Sequence, residues 1–313
     1  MNLLTVSPSP HIRSERTTQS IMLDVIIALC PAWIASVIIF GWRALLVSVV
    51  CIVSCVVIEY LCRLAMKREQ TVGDLSAVVT GLLLALNLPV TIPLWVAVFG
   101  CFIAIAVTKQ LFGGIGQNFA NPAITARVVL LASFGGYMTN FTAPFDYGAD
   151  AVSTSTPLQQ LASDGGELPS LLQMFLGVKA GSMGEVSALA LLIGGVYFVA
   201  RRVIKPITPL VFIGTVFLLF GLVGMKPLYQ ILSGGLLLGA IFMATDYATT
   251  PSTNWGKVIF GLGAGVLTFL IRVYGNYPEG VSFAILLMNI LTPQIDKLAV
   301  RKPLGGKKVA KDA

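Results

Sequence analysis

The stretch 43-RALLVSVVCIVSCVVIEYLCRL-64 carries one carboxylate and two arginines, the arginines near its two ends. Everything else in it is apolar or small apart from one tyrosine. It does not alternate polar with apolar, so it is no half-buried strand. At about 1.5 Å of rise per residue it reaches across the roughly 30 Å hydrocarbon core of a bilayer as one helix. The flanks add direction: Arg43 stands alone before it, while Arg63, Lys67 and Arg68 crowd its far end. Basic flanks resist translocation, so the far end is expected in the cytoplasm.

Working outward, similar runs recur. Ten spans are expected, at about 21–40, 43–64, 74–88, 93–112, 121–134, 184–200, 206–223, 228–245, 256–273 and 281–298. The third, fifth and eighth are short or interrupted. The composition agrees: 56% of residues are hydrophobic and 11% charged, against about 25% charged in soluble domains. The 31 glycines suit a bundle whose helices approach closely. The fold class is therefore an all-α polytopic membrane protein. With the N-terminus placed inside, sixteen basic residues fall inside and only Arg43, Lys179, Lys226 and Arg272 outside, with Arg127 near the start of the fifth span. The net charge of +7 is thus a sidedness signal and not one for nucleic acid. The basic tail 301-RKPLGGKKVAK-311 reads as a cytoplasmic end facing the lipid bilayer.

The chain divides into a cytoplasmic segment 1–20, spans 21–134, an extracytoplasmic loop 135–183, spans 184–298 and a cytoplasmic tail 299–313. The polar start shows no signal-peptide pattern. Five spans precede the loop and five follow it, so the halves must be inverted relative to each other. Weak similarity supports this: 83-LLALNLP-89 against 242-FMATDYATTP-251, and 116-GQNFANPA-123 against 275-GNYPEGVS-282. In inverted repeats, helices broken by Gly, Pro and Asn meet near the midplane and build a site there; ordinary surface loops are the plainer reading.

His11 is the only histidine, which rules out a His-based metal site or a Ser-His-Asp triad. No metal ligands and no catalytic residues are assigned. Cys51, Cys55 and Cys62 share a helix face and are read as packing residues. Trp33, Trp42, Trp95 and Trp255 are expected at lipid or the interface. Ionisable residues inside a membrane are functional candidates by default. Glu59 and Arg63, four apart, are expected to pair, and Asp24 to sit at the interface. Arg127 and Asp246 flank the two suspected breaks and are the ion-path candidates, an internal ion pair being the other reading.

In the outer loop, 156-TPLQ-159 reads as a helix start, with Thr156 as N-cap, Pro157 at the first helical position and Gln159 closing a capping box. Its wider context, 150-DAVSTSTPL-158, resembles the flavinylation motif of the RnfD/NqrB family, which holds the D-type component of Rnf complexes and the B-type component of the sodium-pumping NADH:quinone reductase. Asp150, Ser153 and Thr156 match that motif; Thr154 and Ser155 stand where Gly and Ala are usual. The segments 7-SPSPHIRSERTTQSIMLDVIIALCPA-32, 113-GGIGQNFANPAITAR-127 and 244-ATDYATTP-251 resemble the same family, so the likeness covers essentially the whole chain. The modest N-terminal extension favours the Rnf branch.

The resemblance implies FMN esterified through its phosphate to Thr156 on the outer face, attached by a separate flavin transferase. A threonine hydroxyl is a poor nucleophile unassisted, and a helix beginning at Pro157 would offer N–H groups to the phosphate. It further implies riboflavin, held without a covalent bond, near Asn118 and Asn121; helix capping is the equal alternative for both. As implied, the chain is one membrane component of an Rnf ferredoxin:NAD+ oxidoreductase, coupled to Na+ or H+ transport, with the A, B, C, E and G components of the Rnf complex as partners. It has neither a Cys-rich ferredoxin run nor a dinucleotide fingerprint of its own. The rival readings are an inverted-repeat channel or secondary transporter for a small solute, and a structural scaffold.

Overall fold

The computed structural model describes residues 16–147, 154–162, 168–275 and 279–299. Among them it is helical, without a strand element. The first helix, α1 (Thr18–Phe40), opens on Thr17, whose hydroxyl accepts the Ser20 N–H at 3.2 Å. It ends at Gly41, whose φ of 74° allows the chain to turn straight into α2 (Trp42–Ala65). There follow α3 (Ser76–Leu86), α4 (Leu94–Phe102), α5 (Pro122–Ser133) and the one-turn α6 (Gly135–Met138). The outer-loop region holds two short helices, α7 (Pro157–Ala162) and α8 (Leu171–Leu176). The second half contains α9 (Ala188–Ala200), α10 (Ile207–Leu222), α11 (Pro227–Leu232), α12 (Leu236–Leu238), α13 (Asn254–Tyr274) and α14 (Val281–Ala299).

Helix occurs within each stretch expected to span. Four of these helices, α1, α2, α13 and α14, are long and apolar enough to cross a membrane. α3, α4 with its π continuation, α5, α9 and α10 are shorter apolar helices, so the protein is a multi-pass membrane protein. The third and fifth segments are short, at 11 and 12 residues. The eighth is broken: α11 and α12 are separated by Ser233–Gly234–Gly235, with both glycines at positive φ. Two segments run on in π-helical form, Ile103–Gln110 after α4 and Gly239–Met243 after α12. Such wide turns shift the side-chain register, which is why they recur at functional sites.

The packing follows from small residues. α1 lies against α9, and a Cβ on Gly194 of α9 would stand 2.1 Å from the Ala28 carbonyl oxygen. Only glycine permits that approach. α2 packs on α3, α10 on α13, and α5 on α14. α3 and the π stretch after α12 start at opposite ends of the bundle and finish against one another: Asn87 Nδ2 lies 3.6 Å from Met243 Sδ. One end of the bundle is rich in cations, with Arg201, Lys205 and Lys257; we call it the basic end. The loop end carries residues 134–147 and 168–187, with Tyr147 donating to the Ile38 carbonyl at 2.7 Å.

One tryptophan departs from expectation, and two other groups of residues gain partners. Trp42, Trp95 and Trp255 are exposed, but Trp33 is half-buried and packs on the core. Asp24 is buried and ion-paired with Arg201 at 3.3 Å, with the Tyr197 hydroxyl at 2.9 Å. Cys51 and Cys55 meet a third buried thiol, Cys101 of α4, which donates to the Cys51 carbonyl at 3.5 Å.

Candidate functional site

The break between α11 and α12 is wrapped by charge. At the loop end, Arg272 near the end of α13 donates to the carbonyls of Gln230 (2.6 Å), Ser233 (3.1 Å) and Gly234 (3.4 Å). These are the acceptors left over where α11 stops, and a cation there also meets the negative end of the helix. Lys179 donates to the Leu232 carbonyl beside them. On the other side, a Cβ on Gly235 would lie 3.4 Å from both Arg127 Nη1 and Glu185 Oε2. Arg127 in turn donates to Asn87 Oδ1 at 2.7 Å and pairs with Glu279. Ser182 donates to Glu185 at 2.8 Å. Three cations and two carboxylates thus surround one broken backbone. Burial draws the Lys179 ammonium down to about 8 despite Glu185 nearby, and pushes the Glu279 carboxyl up to about 7 against the pull of Arg127.

Thr156 touches this same break through its helix. The capping box is present: Thr156 Oγ1 accepts the Gln159 N–H at 3.3 Å, and Gln159 Oε1 accepts the Thr156 N–H at 2.9 Å. Thr156 is 3% exposed. Leu158, two residues on, is equally buried; a Cβ on Gly234 would lie 2.7 Å from both a Leu158 methyl and Arg272 Nη2. The glycine therefore seats α7 on the Arg272 side of the break. Two buried polar atoms in this region lack a partner, Thr154 Oγ1 and Arg272 Nε. Asp150 and Ser153 lie outside the described residues.

At the basic end a cavity of about 340 Å³ opens among α1, α3, α5 and the two π stretches. Such a volume is in the range of small-molecule sites. Asn118, Asn121 and Asp246 line it, with Lys109, Thr80 and Phe242. Asn121 is the N-cap of α5, accepting the N–H groups of Ala123 (3.0 Å) and Ile124 (3.3 Å), while its amide nitrogen reaches the Met243 carbonyl at 3.5 Å. Asn118 bonds the Ala120 carbonyl at 2.9 Å and reaches toward Asp246. Asp246 accepts the Ala248 N–H (3.4 Å) and the Thr249 hydroxyl (3.3 Å).

Next to this cavity lies a closed ion pair. Lys109 Nζ sits 2.8 and 3.0 Å from the two Glu59 oxygens and 2.6 Å from Ser76 Oγ at the start of α3. Gln110 and Thr71 also donate to Glu59. Adjacent Lys109 and Gln110 both reach Glu59 because the π stretch brings them to one face. The expected Glu59–Arg63 pair is absent: Arg63 turns to the Glu69 carbonyl at 2.9 Å.

A family model described as the NQR2, RnfD, RnfE family matches residues 5–305. The chain belongs to this family. It is 48% identical to the D component of a Na+-translocating ferredoxin:NAD+ oxidoreductase complex of Acetobacterium woodii, over 99% of this chain and 98% of that one. It is 43% identical to the D component of a proton-translocating ferredoxin:NAD+ oxidoreductase complex of Clostridium ljungdahlii, over 95% and 94%. The D component of an ion-translocating oxidoreductase complex of Stutzerimonas stutzeri is 39% identical over 91% of each. The first two are named for different ions, so overall likeness does not select the ion.

In this NQR2, RnfD, RnfE family member the expected site residues fall in two places. Asn118, Asn121 and Asp246 come together at the basic-end cavity; Arg127 and Thr156 approach the α11–α12 break from opposite sides. Arg127 and Asp246 therefore do not pair. Lys179, Glu185 and Glu279 escaped the sequence reading, although Glu279 lies within 275-GNYPEGVS-282. A carboxylate among small residues, as in 180-AGSMGEVS-187, was the signal available for Glu185.

Proposed function

We propose that this chain is the D-type membrane component of an Rnf ion-translocating ferredoxin:NAD+ oxidoreductase, carrying FMN esterified through its phosphate to Thr156. The observation that carries the proposal is the seating of α7 on the broken α11–α12 segment, beside half-buried Arg272. A hydroxyl acceptor, a nearby guanidinium with an unpartnered Nε, and the orphaned Thr154 hydroxyl suit a phosphodiester. Attached FMN supplies reversible electron exchange with neighbouring redox groups. The chain's own part is to hold the tether against the bundle and to keep cations at its base. Because the Thr156 hydroxyl is buried and engaged, a transferase must reach it before α7 docks.

We read the fold as two inverted five-helix repeats, α1–α5 and α9–α14, with the loop end extracytoplasmic and both termini in the cytoplasm of a bacterial inner membrane. The interrupted third element of each half and the mutual contact of α3 with the second π stretch support this. The basic-end cavity is the candidate place for a second, non-covalent flavin, with Asn118 and Asp246 offering a polar edge and Phe242 an apolar face. Arg127 and Asp246 remain ion-path candidates on opposite sides of the meeting point. The partners in this reading are the A, B, C, E and G components of the complex, with a flavin transferase for maturation. A solute channel or secondary transporter is the second reading, favoured by a cavity beside the meeting point of two short helices.

Intact mass of the purified chain, expressed with a flavin transferase, decides between them. The proposal expects a gain of one FMN less water, abolished in Thr156→Ala. An unmodified wild-type mass would sink the tether and favour transport; normal coupled activity of a complex carrying Thr156→Ala would reduce the chain to a scaffold.

A further inference from the structure

A second cavity, of about 520 Å³, lies at the basic end and shares the wall formed by Val203, Ile204 and residues 245–248 with the first. Its wall carries Arg202, Lys205 and Lys257. None of the three makes an ion pair among the described residues. Lys205 donates to the neutral Asn254 side chain at 3.1 Å, and the ammonium groups of Lys205 and Lys257 repel one another. The cavity's two carboxylates are held by neutral donors, Asp296 by the Ser252 N–H and hydroxyl at 3.1 and 3.3 Å and Asp246 by Ala248 and Thr249, so its three cations outnumber its carboxylates by one. α10 begins at this cavity with no side-chain cap, so its positive end adds to the field.

Arg202 holds an expensive position. It follows α9 with φ 54°, closing the helix through bonds from its own N–H to Val199 and from the Val203 N–H to Phe198. That left-handed position favours glycine, and a side chain there is strained. The residue there is nonetheless a cation.

Helices α10 and α13, which line this cavity through Thr208 and Lys257, also carry exposed apolar residues. Leu210 and Leu218 of α10 and Trp255, Ile259 and Leu262 of α13 are exposed on the same two packed helices. Trp255 marks the level of the interface. An anion here would therefore meet cations at the head and apolar helix faces along its length. The chain's own tail does not supply that anion: α14 ends at Ala299, beside Gly256 at the mouth, and 301-RKPLGGKKVAK-311 is itself cationic.

We propose that this cavity binds the phosphodiester headgroup of an anionic phospholipid such as phosphatidylglycerol, with its acyl chains lying along α10 and α13. Arg202, Lys205 and Lys257 hold the phosphate, and the Ser252 region faces the glycerol head. The site stands apart from flavin attachment, so it holds whether or not Thr156 is modified.

The test is native mass spectrometry of the full chain and of its intact complex in micelles containing phosphatidylglycerol or phosphatidylcholine. Phosphatidylglycerol should be retained at least tenfold more strongly. Lys205→Gln with Lys257→Gln should weaken it by about 25-fold, since each cation near an anionic headgroup is worth about fivefold. Arg202→Gly relieves the strained backbone, so it folds, and should weaken retention by about fivefold. Lys67→Gln removes a cation from the same left-handed position after α2, away from the cavity, and should change nothing. Equal retention of the two lipids overturns the proposal. So does full displacement by inorganic phosphate at matched concentration, which would make the site one for free phosphate. Loss of the lipid from the isolated chain when the partner proteins are added also overturns it, assigning the cations to an acidic partner segment.

Discussion

The two ends of the bundle bury charge in opposite ways. At the basic end, Glu59 and Lys109 form a single pair in which both carboxylate oxygens and the ammonium are engaged by named partners. At the loop end, Arg127, Lys179 and Arg272 outnumber Glu185 and Glu279, and the surplus cations lean on backbone carbonyls of a broken helix. The first is a closed joint between α2, α3 and the π stretch after α4. The second is a set of charges whose partners are partly main chain, so it can change its charge without leaving an orphan. That difference assigns stability chiefly to the first and adjustability to the second.

The closed joint gives the largest expected effect. Glu59→Gln strands the Lys109 ammonium, and removing one partner of a buried pair costs about 3–5 kcal/mol. Unfolding of the detergent-solubilised chain should show that loss. Glu59→Gln with Lys109→Met should restore most of it, because the pair repays little beyond its own desolvation. If the single variants lie within about 0.5 kcal/mol of wild type, the joint is not closed and the comparison fails.

Arg272→Gln comes next. It removes the donors that satisfy the α11 carbonyls, and bonds to a charged donor are worth about 1.5–3 kcal/mol. A loss of about 2 kcal/mol is expected, with hydrogen exchange quickening over residues 227–235 and spreading to α7 through Leu158. Uniform destabilisation with no local change would mean that Arg272 does not hold the break.

How much of this was legible beforehand follows the range of the interaction. The four long helices, the short third and fifth segments and the broken eighth show in runs of grease punctuated by Gly, Pro and Asn. The capping box at Thr156 and the cap at Asn121 are equally local, and both are present. Pairing was legible only where a local rule governed it. Four-residue spacing pointed Glu59 to Arg63, yet Lys109, fifty residues away, wins because the π stretch carries it inward. Lys179, Glu185 and Glu279 were missed for the same reason: their placement around the α11–α12 break, on Leu232, beside Gly235 and on Arg127, depends on how distant segments pack. Asp150 and Ser153 rest on the resemblance alone.

The smallest effect at neutral pH is expected of Glu279→Gln, and its pH dependence is the sharper test of an adjustable loop end. Burial holds the Glu279 carboxyl at about 7, above its usual 4.5, although Arg127 pulls it down. Glu185 disfavours its ionised form and Arg272 favours it. A folded state that binds the proton more tightly than the unfolded chain is stabilised at low pH and loses that stabilisation as pH rises from about 4.5 through about 7. At pH 7 the carboxyl is close to half-ionised and glutamine still accepts from Arg127, so the variant should differ by no more than about 1 kcal/mol. Relative to Glu279→Gln, the wild type should therefore be more stable at pH 5 than at pH 8, with the change centred between the unfolded and folded values. The opposite slope would mean that the Arg127 pair dominates and Glu279 is ionised throughout, which would make the loop end as closed as the Glu59–Lys109 joint.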